Sequence, residues 1–172
     1  MSSRDSLGTD INAIARLHGT FRLRSGQTST EYFDKYWFES DPMLLRRVAQ
    51  RMLQLVPGGT EVLAGLELGG VPIATAMSLE SGLPAVFVRK AAKEYGTCKA
   101  VEGVQIEGRK VVLVEDVITT GGAVADATRL VRSAGAEVAA VVCAIWRGEG
   151  KPSISGLPDL AVLPALTATD LI

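Results

Sequence analysis

The chain has 172 residues and a mass of 18.2 kDa, which suits a single domain that buries a core without disulfides or structural metal. Hydrophobic residues make up 47% and charged residues 22%, which excludes a disordered chain, and no apolar run is long enough to span a membrane. The formal net charge of −1 argues against a general nucleic-acid partner.

The first elements follow from hydrophobic spacing. Residues from about Asp10 to Leu17 and from about Pro42 to Leu55 have helical periodicity, and Asp41-Pro42 is a typical helix start. Between them, "FRLRSGQTSTEYFDKY" alternates apolar and polar residues around Ser25-Gly26. This pattern predicts two short strands joined by a turn.

Strand and helix patterns alternate from residue 61 onward. Continuous apolar runs predict strands in "EVLAGLEL", "LPAVFVRK", "KVVLVEDV" and "AEVAAVVCAIW". Helices are predicted in "GGVPIATAMSLESG" and in "GGAVADATRLVRSAG", the second closed by Gly135, and "GEGKPSISGLPD" is a loop. Buried strands separated by helices indicate an α/β fold with a mostly parallel central sheet that helices cover on both faces.

The two cysteines are predicted to be ordinary thiols. Cys98 lies in a polar loop and Cys143 in an apolar strand pattern, so neither a disulfide nor a metal site is expected. The N-terminal segment lacks the pattern of a secretory signal. We therefore expect a cytoplasmic protein without a membrane partner.

One stretch, "VVLVEDVITTGGA", joins chemical groups that suit a phosphorylated sugar. Glu115 and Asp116 follow the apolar strand Val111–Val114, so they are expected at the sheet edge, where ribose hydroxyls are suitable partners. The "TTGG" that follows leads into a helix expected to begin near Ala123, and a helix N-terminus binds phosphate. A capping turn beside two solvated acids is the alternative reading of this stretch.

The same stretch resembles the phosphoribosyl pyrophosphate (PRPP) binding motif of the type I phosphoribosyltransferases. It lacks the lysine of a Walker loop, and no G-x-G-x-x-G occurs. The segments "FRLRSGQTSTEYFD", "GLELGGVPIA" and "VRKAAKEYGTCKAVEG" resemble those of orotate phosphoribosyltransferases, so the resemblance runs from about Phe21 to Arg147.

The resemblance implies one phosphoribosyltransferase domain over residues 1–172 with the type I fold. That fold has a central sheet and a small N-terminal hood, and about residues 1–40 would contribute the hood and the base pocket. It also implies dependence on Mg²⁺, which PRPP would mainly hold with no direct ligand from the protein. The implied assembly is a homodimer whose active sites are shared.

The resemblance implies contacts to each part of PRPP. Glu115 and Asp116 would bind the ribose hydroxyls, and the loop from Thr119 to Ala123 would bind the 5′-phosphate. The residues expected to contact PRPP are Arg89, Lys90, Lys93, Glu115, Asp116, Val117, Ile118, Thr119, Thr120, Gly121, Gly122 and Ala123. The pyrophosphate loop would be Leu68, Gly69 and Gly70, with an unusual backbone turn that the glycines would allow. Some orotate enzymes place a lysine at the position of Gly69.

A basic cluster in "VRKAAKEYGTCK" resembles the mobile loop that closes over the active site in this family. Arg89, Lys90 and Lys93 match its pyrophosphate-binding residues, and Tyr95 stands where many orotate enzymes have a histidine. Lys93 is the expected catalytic cation, with Asp116 as a ribose ligand or stabiliser of the developing positive charge. Without that resemblance, the cluster would be read as a solvated surface.

The resemblance also implies an orotate pocket. Its residues would be Arg24, Tyr32, Phe33, Thr119 and Arg147, with Arg147 pairing with the orotate carboxylate. Arg24 replaces a lysine of the orotate enzymes, and Trp146 replaces the aspartate that usually precedes Arg147. Core packing is an alternative role for Tyr32, Phe33 and Trp146.

The activity that the resemblance implies is transfer of the 5-phosphoribosyl group from PRPP to orotate, giving orotidine 5′-phosphate and pyrophosphate. Such a transferase (a glycosyltransferase) serves nucleotide metabolism through pyrimidine biosynthesis. Two alternatives stay open. One is a phosphoribosyltransferase for a purine or for uracil, and the other is a non-catalytic regulator that senses PRPP.

Overall fold

The chain alternates strands and helices as the sequence predicts. The computed structural model describes residues 6–23, 25–91 and 99–171. The elements are α1 (Leu7–Ala15), β1 (Arg16–Arg22), β2 (Thr28–Phe33), α2 (Tyr36–Ser40), α3 (Pro42–Leu53), β3 (Val62–Leu66), α4 (Gly70–Ser81), β4 (Ala85–Val88), β5 (Val101–Glu102), β6 (Lys110–Ile118), α5 (Gly122–Ser133), β7 (Glu137–Trp146), β8 (Ala161–Thr167) and a short 3₁₀ helix (Ala168–Asp170).

The central sheet has six strands in the order β5-β4-β3-β6-β7-β8. All neighbouring strands pair in parallel except β4 and β5, which are antiparallel. The predicted fold class, a mostly parallel sheet flanked by helices, is therefore confirmed. The carboxyl ends of β3, β4, β6 and β7 meet at one edge, which is where α/β proteins bind ligands.

Alternation along the strands gives the sheet two hydrophobic faces. Leu63 of β3 and Val112 and Val114 of β6 pack into the core formed with α1, α3 and α4. Val111 and Leu113 point to the opposite face, where they pack with residues of α5. Because successive side chains of a strand point to opposite faces, adjacent residues of β6 enter different environments.

The N-terminal strands form a separate two-stranded antiparallel sheet. The predicted hairpin is confirmed, and its turn contains Gly26 at φ 86°, a left-handed conformation that suits glycine. The predicted helix end at Leu17 is wrong. Helix α1 ends at Ala15, because Arg16 is extended and Leu17 already pairs with Tyr32 of β2.

A short helix, α2, lies between the hairpin and α3 and buries Phe38 and Glu39. The sequence did not predict it, because five residues are too few to display helical periodicity. Helix α3 begins where predicted, and the Asp41 carboxylate caps it by accepting hydrogen bonds from the N–H groups of Met43 and Leu44. Within the described residues, none of the helices has the length and apolar character of a membrane span.

Candidate active site

The two adjacent acids of β6 lie inside the sheet instead of beyond its end. The strand continues through Glu115 and Asp116 to Ile118, and the two side chains are 7% and 1% exposed. The expectation that they stand at the edge after Val114 is wrong, because the apolar run is extended by Val117 and Ile118. Asp116 has the parity of Val112 and Val114, which pack with α3 and α4, and Gly69 at the start of α4 lies against its carboxylate. Glu115 accepts a hydrogen bond from the N–H of Asp116 through its Oε1.

Asp116 is held on several sides. Its Oδ2 forms an ion pair with Lys35 Nζ at 2.5 Å, and its Oδ1 accepts a hydrogen bond from the N–H of Val117 at 2.5 Å. Lys35 directly precedes α2. The backbone of Gly69, at the start of α4, lies so close that a Cβ atom there would overlap the Asp116 carboxylate.

Burial perturbs the ionisable groups around Asp116. Desolvation, reinforced by the Asp116 charge, raises the pKa of Glu115 to about 8. Desolvation and the two neighbouring carboxylates raise the pKa of the Cys143 thiol to about 12, so this cysteine is an inert buried thiol. Partial burial lowers the pKa of Lys35, but the contact with Asp116 outweighs it and the net shift is upward.

The predicted phosphate loop connects β6 to α5. Val117 is half-buried and Ile118 is buried, whereas Thr119, Thr120, Gly122 and Ala123 are exposed. Gly121 precedes α5 at φ 78°, a left-handed conformation that turns the chain into the helix. Exposed hydroxyls and a helix N-terminus with no side-chain cap leave backbone N–H groups available to an anion.

The segment predicted as the pyrophosphate loop lies beside the buried acids. Its unusual turn is a cis peptide bond between Glu67 and Leu68. The glycines are needed for space and not for unusual dihedral angles, since Gly69 has φ −65° and ψ −28°, which any residue adopts. A side chain on Gly70 would meet the carbonyl oxygen of Val114, so both glycines allow α4 to start against β6.

Two cations that follow β4 lie near the segment predicted as the pyrophosphate loop. Arg89 and Lys90 line a cavity together with Glu67 and Ala123, so the structure brings two predicted pyrophosphate ligands beside the start of α5. The Glu67 carboxylate accepts a hydrogen bond from the N–H of Lys90. Lys93, the predicted catalytic cation, lies outside the described residues.

The predicted base pocket is assembled from the hairpin and the end of β7. A cavity of about 500 Å³ contains Tyr32, Phe33 and Arg147 in its wall, and the Arg147 guanidinium lies 5.1 Å from the centre of the Phe33 ring. Arg24 lies outside the described residues. Thr119 is not among the lining residues of this cavity and instead borders a neighbouring groove with Trp146.

Other residues of the base cavity escaped the sequence reading. They are Arg16, Leu23, Ser29, Glu31, Ala168 and Leu171. The alternation of Ser29, Glu31 and Phe33 along β2 was a signal that the three residues share one face. The contribution of Ala168 and Leu171 to the cavity was not predicted, because the sequence analysis assigned neither β8 nor the short helix after it.

Trp146 belongs to the hydrophobic core. It is 6% exposed, and its indole packs among the residues on the α5 face of the sheet. Gly148 approaches so closely that a Cβ atom there would overlap the indole ring. Core packing therefore accounts for Trp146, while Tyr32 is 44% exposed in the wall of the base cavity.

Comparisons with known proteins agree with this geometry. Residues 42–159 match the family model described as "Phosphoribosyl transferase domain". An orotate phosphoribosyltransferase of a Nocardioides species is 60% identical over 166 residues, covering 96% of this chain and 93% of the relative. One from Halobacterium salinarum is 40% identical over 173 residues, covering 100% and 98%.

A solved structure is similar over nearly its whole length. Mycobacterium tuberculosis orotate phosphoribosyltransferase in complex with PRPP superimposes with a TM-score of 0.81 at 27% identity, covering 96% of both chains. The fold and site therefore define a phosphoribosyltransferase of type I. Within that class, the chain belongs to the orotate phosphoribosyltransferase family.

The close approach of Gly69 to Asp116 generates a prediction. Gly69→Ala places a methyl group where the Asp116 carboxylate lies, so we expect at least a tenfold loss (about 1.4 kcal/mol) in kcat/KM for PRPP. The measurement is steady-state turnover with thermal unfolding in parallel. Gly58→Ala, at an ordinary φ with open space around the added methyl group, is the matched control. Activity of Gly69→Ala equal to that of the control would contradict this packing.

Proposed function

We propose that this chain transfers the 5-phosphoribosyl group from PRPP to orotate, using the base cavity for orotate and the carboxyl edge of the sheet for PRPP. The observation that carries the proposal is the meeting of three features at that edge. The base cavity with Arg147, the phosphate loop before α5 and the cations after β4 all lie there. The product would be orotidine 5′-phosphate, which belongs to pyrimidine biosynthesis.

We assign PRPP across the ends of β6, β4 and β3. The loop from Thr119 to Ala123 would hold the 5′-phosphate with its backbone N–H groups. Glu115 and Asp116 would bind the ribose hydroxyls. The pyrophosphate would lie between the segment Leu68–Gly70 and the cations Arg89, Lys90 and Lys93, because oxygen anions are stabilised by cations and free N–H groups.

We assign orotate to the base cavity. Tyr32 and Phe33 would line the pyrimidine site, and the planar guanidinium of Arg147, which lies over the Phe33 ring, would pair with the orotate carboxylate. Arg24, which lies outside the described residues, would supply a second cation. In this assignment about residues 1–40 form the hood of one domain that spans residues 1–172.

The proposed reaction needs no nucleophile from the protein. The bond between ribose C1 and the pyrophosphate oxygen breaks, pyrophosphate leaves with the bonding electrons, and a nitrogen of orotate forms the new bond to C1. Negative charge grows on pyrophosphate, where Arg89, Lys90 and Lys93 would stabilise it. Positive charge grows on the ribose, where Asp116 would stabilise it. No general base is assigned, because the attacking nitrogen of orotate can be anionic.

Mg²⁺ would enter with PRPP. Among the described residues there is no cluster of three or more His, Cys, Asp or Glu side chains suited to a metal ion. Asp116 is already paired with Lys35, and the cavity beside it carries the cations Arg89 and Lys90. This donor set suits a metal held by substrate phosphates, as Mg²⁺ commonly is. When bound, the ion would neutralise charge on the leaving pyrophosphate.

The assignment of the base cavity predicts a selective effect of Arg147. Orotate consumption that requires PRPP and Mg²⁺ is expected for the unaltered chain, measured by loss of orotate absorbance, with uracil, adenine and hypoxanthine in parallel. Arg147→Ala should raise the KM for orotate by about ten- to a hundredfold, because a charged hydrogen-bonded pair is lost, and should change the KM for PRPP little.

Arg132→Ala, in the last turn of α5 at the opposite end of that helix from the phosphate loop, is the control for Arg147→Ala. Turnover with another base and not with orotate would reject the orotate assignment. PRPP binding without turnover on any base would favour the sensor reading.

Lys93 is predicted to act on the leaving group. Lys93→Ala should lower kcat by at least about a hundredfold without changing the thermal midpoint, because a cation opposite the departing pyrophosphate stabilises only the transition state. Single-turnover and steady-state assays measure the effect. Lys110→Ala, at the amino end of β6, removes an equal charge away from the site. An unaltered kcat for Lys93→Ala would reject the loop assignment.

We also propose a homodimer in the cytoplasm. Large apolar side chains on neighbouring helices are exposed, with Trp37 at 53%, Met43 at 63% and Leu79 at 84%, which suits a surface covered by a second copy. Light scattering after size exclusion should give twice the chain mass of 18.2 kDa at micromolar concentration. A mass of one chain under those conditions would contradict the dimer.

The cytoplasmic location stays a prediction, which cell fractionation tests.

A further inference from the structure

Glu39 of α2 is a buried acid that the assignments above do not use. Its side chain is 6% exposed, and it lies in the short helix between the base-cavity hairpin and α3. Among the residues that the structure describes, no N–H or O–H group donates a hydrogen bond to either of its oxygens. A buried carboxylate without a donor is costly, so its protonation state and its neighbours need an explanation.

The neighbour that faces Glu39 is the carboxyl group of Asp116. Among the described residues, the other charged groups that act on Glu39 are Glu115, from β6, and Lys35, from the start of α2. Two acids that face each other in a buried site are not both ionised, because the like charges repel at low dielectric. Burial, followed by the charge of Asp116, raises the pKa of Glu39 to about 9, so Glu39 is the acid that keeps its proton.

A protonated Glu39 changes the hydrogen bonding of the pair. A neutral carboxyl group has an O–H donor, and Asp116 is the acceptor that faces it. Lys35 precedes Glu39 by four residues, and it reaches the same carboxylate with its Nζ 2.5 Å from Asp116 Oδ2. One cation, one anion and one neutral acid therefore form a balanced set around Asp116.

A purely structural role explains this set poorly. Replacing a buried ion pair with apolar side chains of similar size is often neutral or stabilising, so such a pair is weak evidence of a contribution to stability. The set also converges on a single acceptor inside the sheet, two residues before the carboxyl end of β6 and beside Gly69. What Lys35 and Glu39 have in common is therefore that both act on the orientation of the Asp116 carboxylate.

We propose that Glu39 and Lys35 are positioning residues for PRPP binding: Glu39 donates a hydrogen bond from its neutral carboxyl group to Asp116, and Lys35 neutralises and orients the same carboxylate. This inference rests on the proposed function, in which Asp116 binds a ribose hydroxyl. Loss of the Glu39 proton would place two like charges face to face and turn Asp116 away from the ribose. PRPP binding should therefore weaken in alkaline solution.

The test compares two replacements of Glu39. Glu39→Gln keeps a donor of the same size that does not ionise, whereas Glu39→Leu removes the donor. At pH 7 we expect Glu39→Leu to lower kcat/KM for PRPP by about tenfold, the effect of losing one buried hydrogen bond to a charged group. Its KM for orotate should change little, and Glu39→Gln should stay close to the unaltered chain. Glu137→Gln, exposed at the amino end of β7, is the matched control.

The pH profile separates positioning from packing. Between pH 6 and 10 the unaltered chain and Glu137→Gln should lose PRPP affinity as Glu39 ionises, and Glu39→Gln should lose that part of the decline. Lys35→Met should lower PRPP affinity at every pH. A Glu39→Gln profile that matches the unaltered chain, or a Glu39→Leu variant with unchanged PRPP affinity, would overturn the inference.

Calorimetric titration with PRPP alone gives the same profile without turnover. Failure of the proposed reaction is thereby distinguishable from failure of the positioning role. An unaltered chain that binds PRPP but does not consume orotate would reject the reaction, and its binding profile would still decide the role of Glu39.

Thermal unfolding provides a check that does not depend on any substrate. Folding raises the pKa of Glu39 from 4.5 to about 9, so between those values the folded chain binds one more proton than the unfolded chain. The free energy of unfolding contributed by this group therefore falls as pH rises through that range. Glu39→Gln should flatten the decline, and an unchanged slope would show that Glu39 does not carry the buried proton.

Discussion

The burial of the Asp116 carboxylate is the constraint on which the rest of the site depends. A charge that is 1% exposed needs partners, and the fold supplies them from α2, which is distant in the chain, and from β6 itself. Lys35 comes from the start of α2, Glu39 from within α2, and the N–H of Val117 from β6 itself. The position of the short helix α2 is thus tied to the buried carboxylate of β6, although α2 follows the N-terminal hairpin that lines the base cavity.

The contact between α2 and Asp116 connects the two regions that we assign to the two substrates. The proposed PRPP site is built from loops at the ends of parallel strands, and the base cavity is built from a separate hairpin and the end of β7. Loops on a rigid sheet can change without disturbing the core, so the base cavity is able to vary while the proposed phosphate loop stays the same. The α2 segment links the two regions, because Lys35 at its start follows the hairpin by two residues and pairs with Asp116, which we assign to the PRPP site.

Sequence reasoning recovered the features that rest on local patterns. Continuous apolar runs identified β3, β4, β6 and β7, and the motif around Thr119–Ala123 identified the turn into α5, since each feature is encoded within about ten residues. The elements that it missed, α2, β5 and β8, are short or contain a proline, as β8 does at Pro164. Periodicity is weak over such lengths. The positions of Lys35 and Glu39 beside Asp116 were not predicted for a different reason, which is that Asp116 is about eighty residues away along the chain.

The site also illustrates why a family motif must be interpreted in three dimensions. In some orotate enzymes a lysine occupies the position of Gly69, and its absence here looks like a lost positive charge. The structure has no space for any side chain at that position, because the Asp116 carboxylate fills it. A cation nevertheless lies against that carboxylate, supplied by Lys35 from another element. Electrostatic balance depends on which charges are within a few ångströms of each other, so the charges around Asp116 do not follow from its neighbours in the sequence. Gly69, Lys35 and Glu39 all lie next to the Asp116 carboxylate, so we expect a substitution at any of the three positions to alter its surroundings.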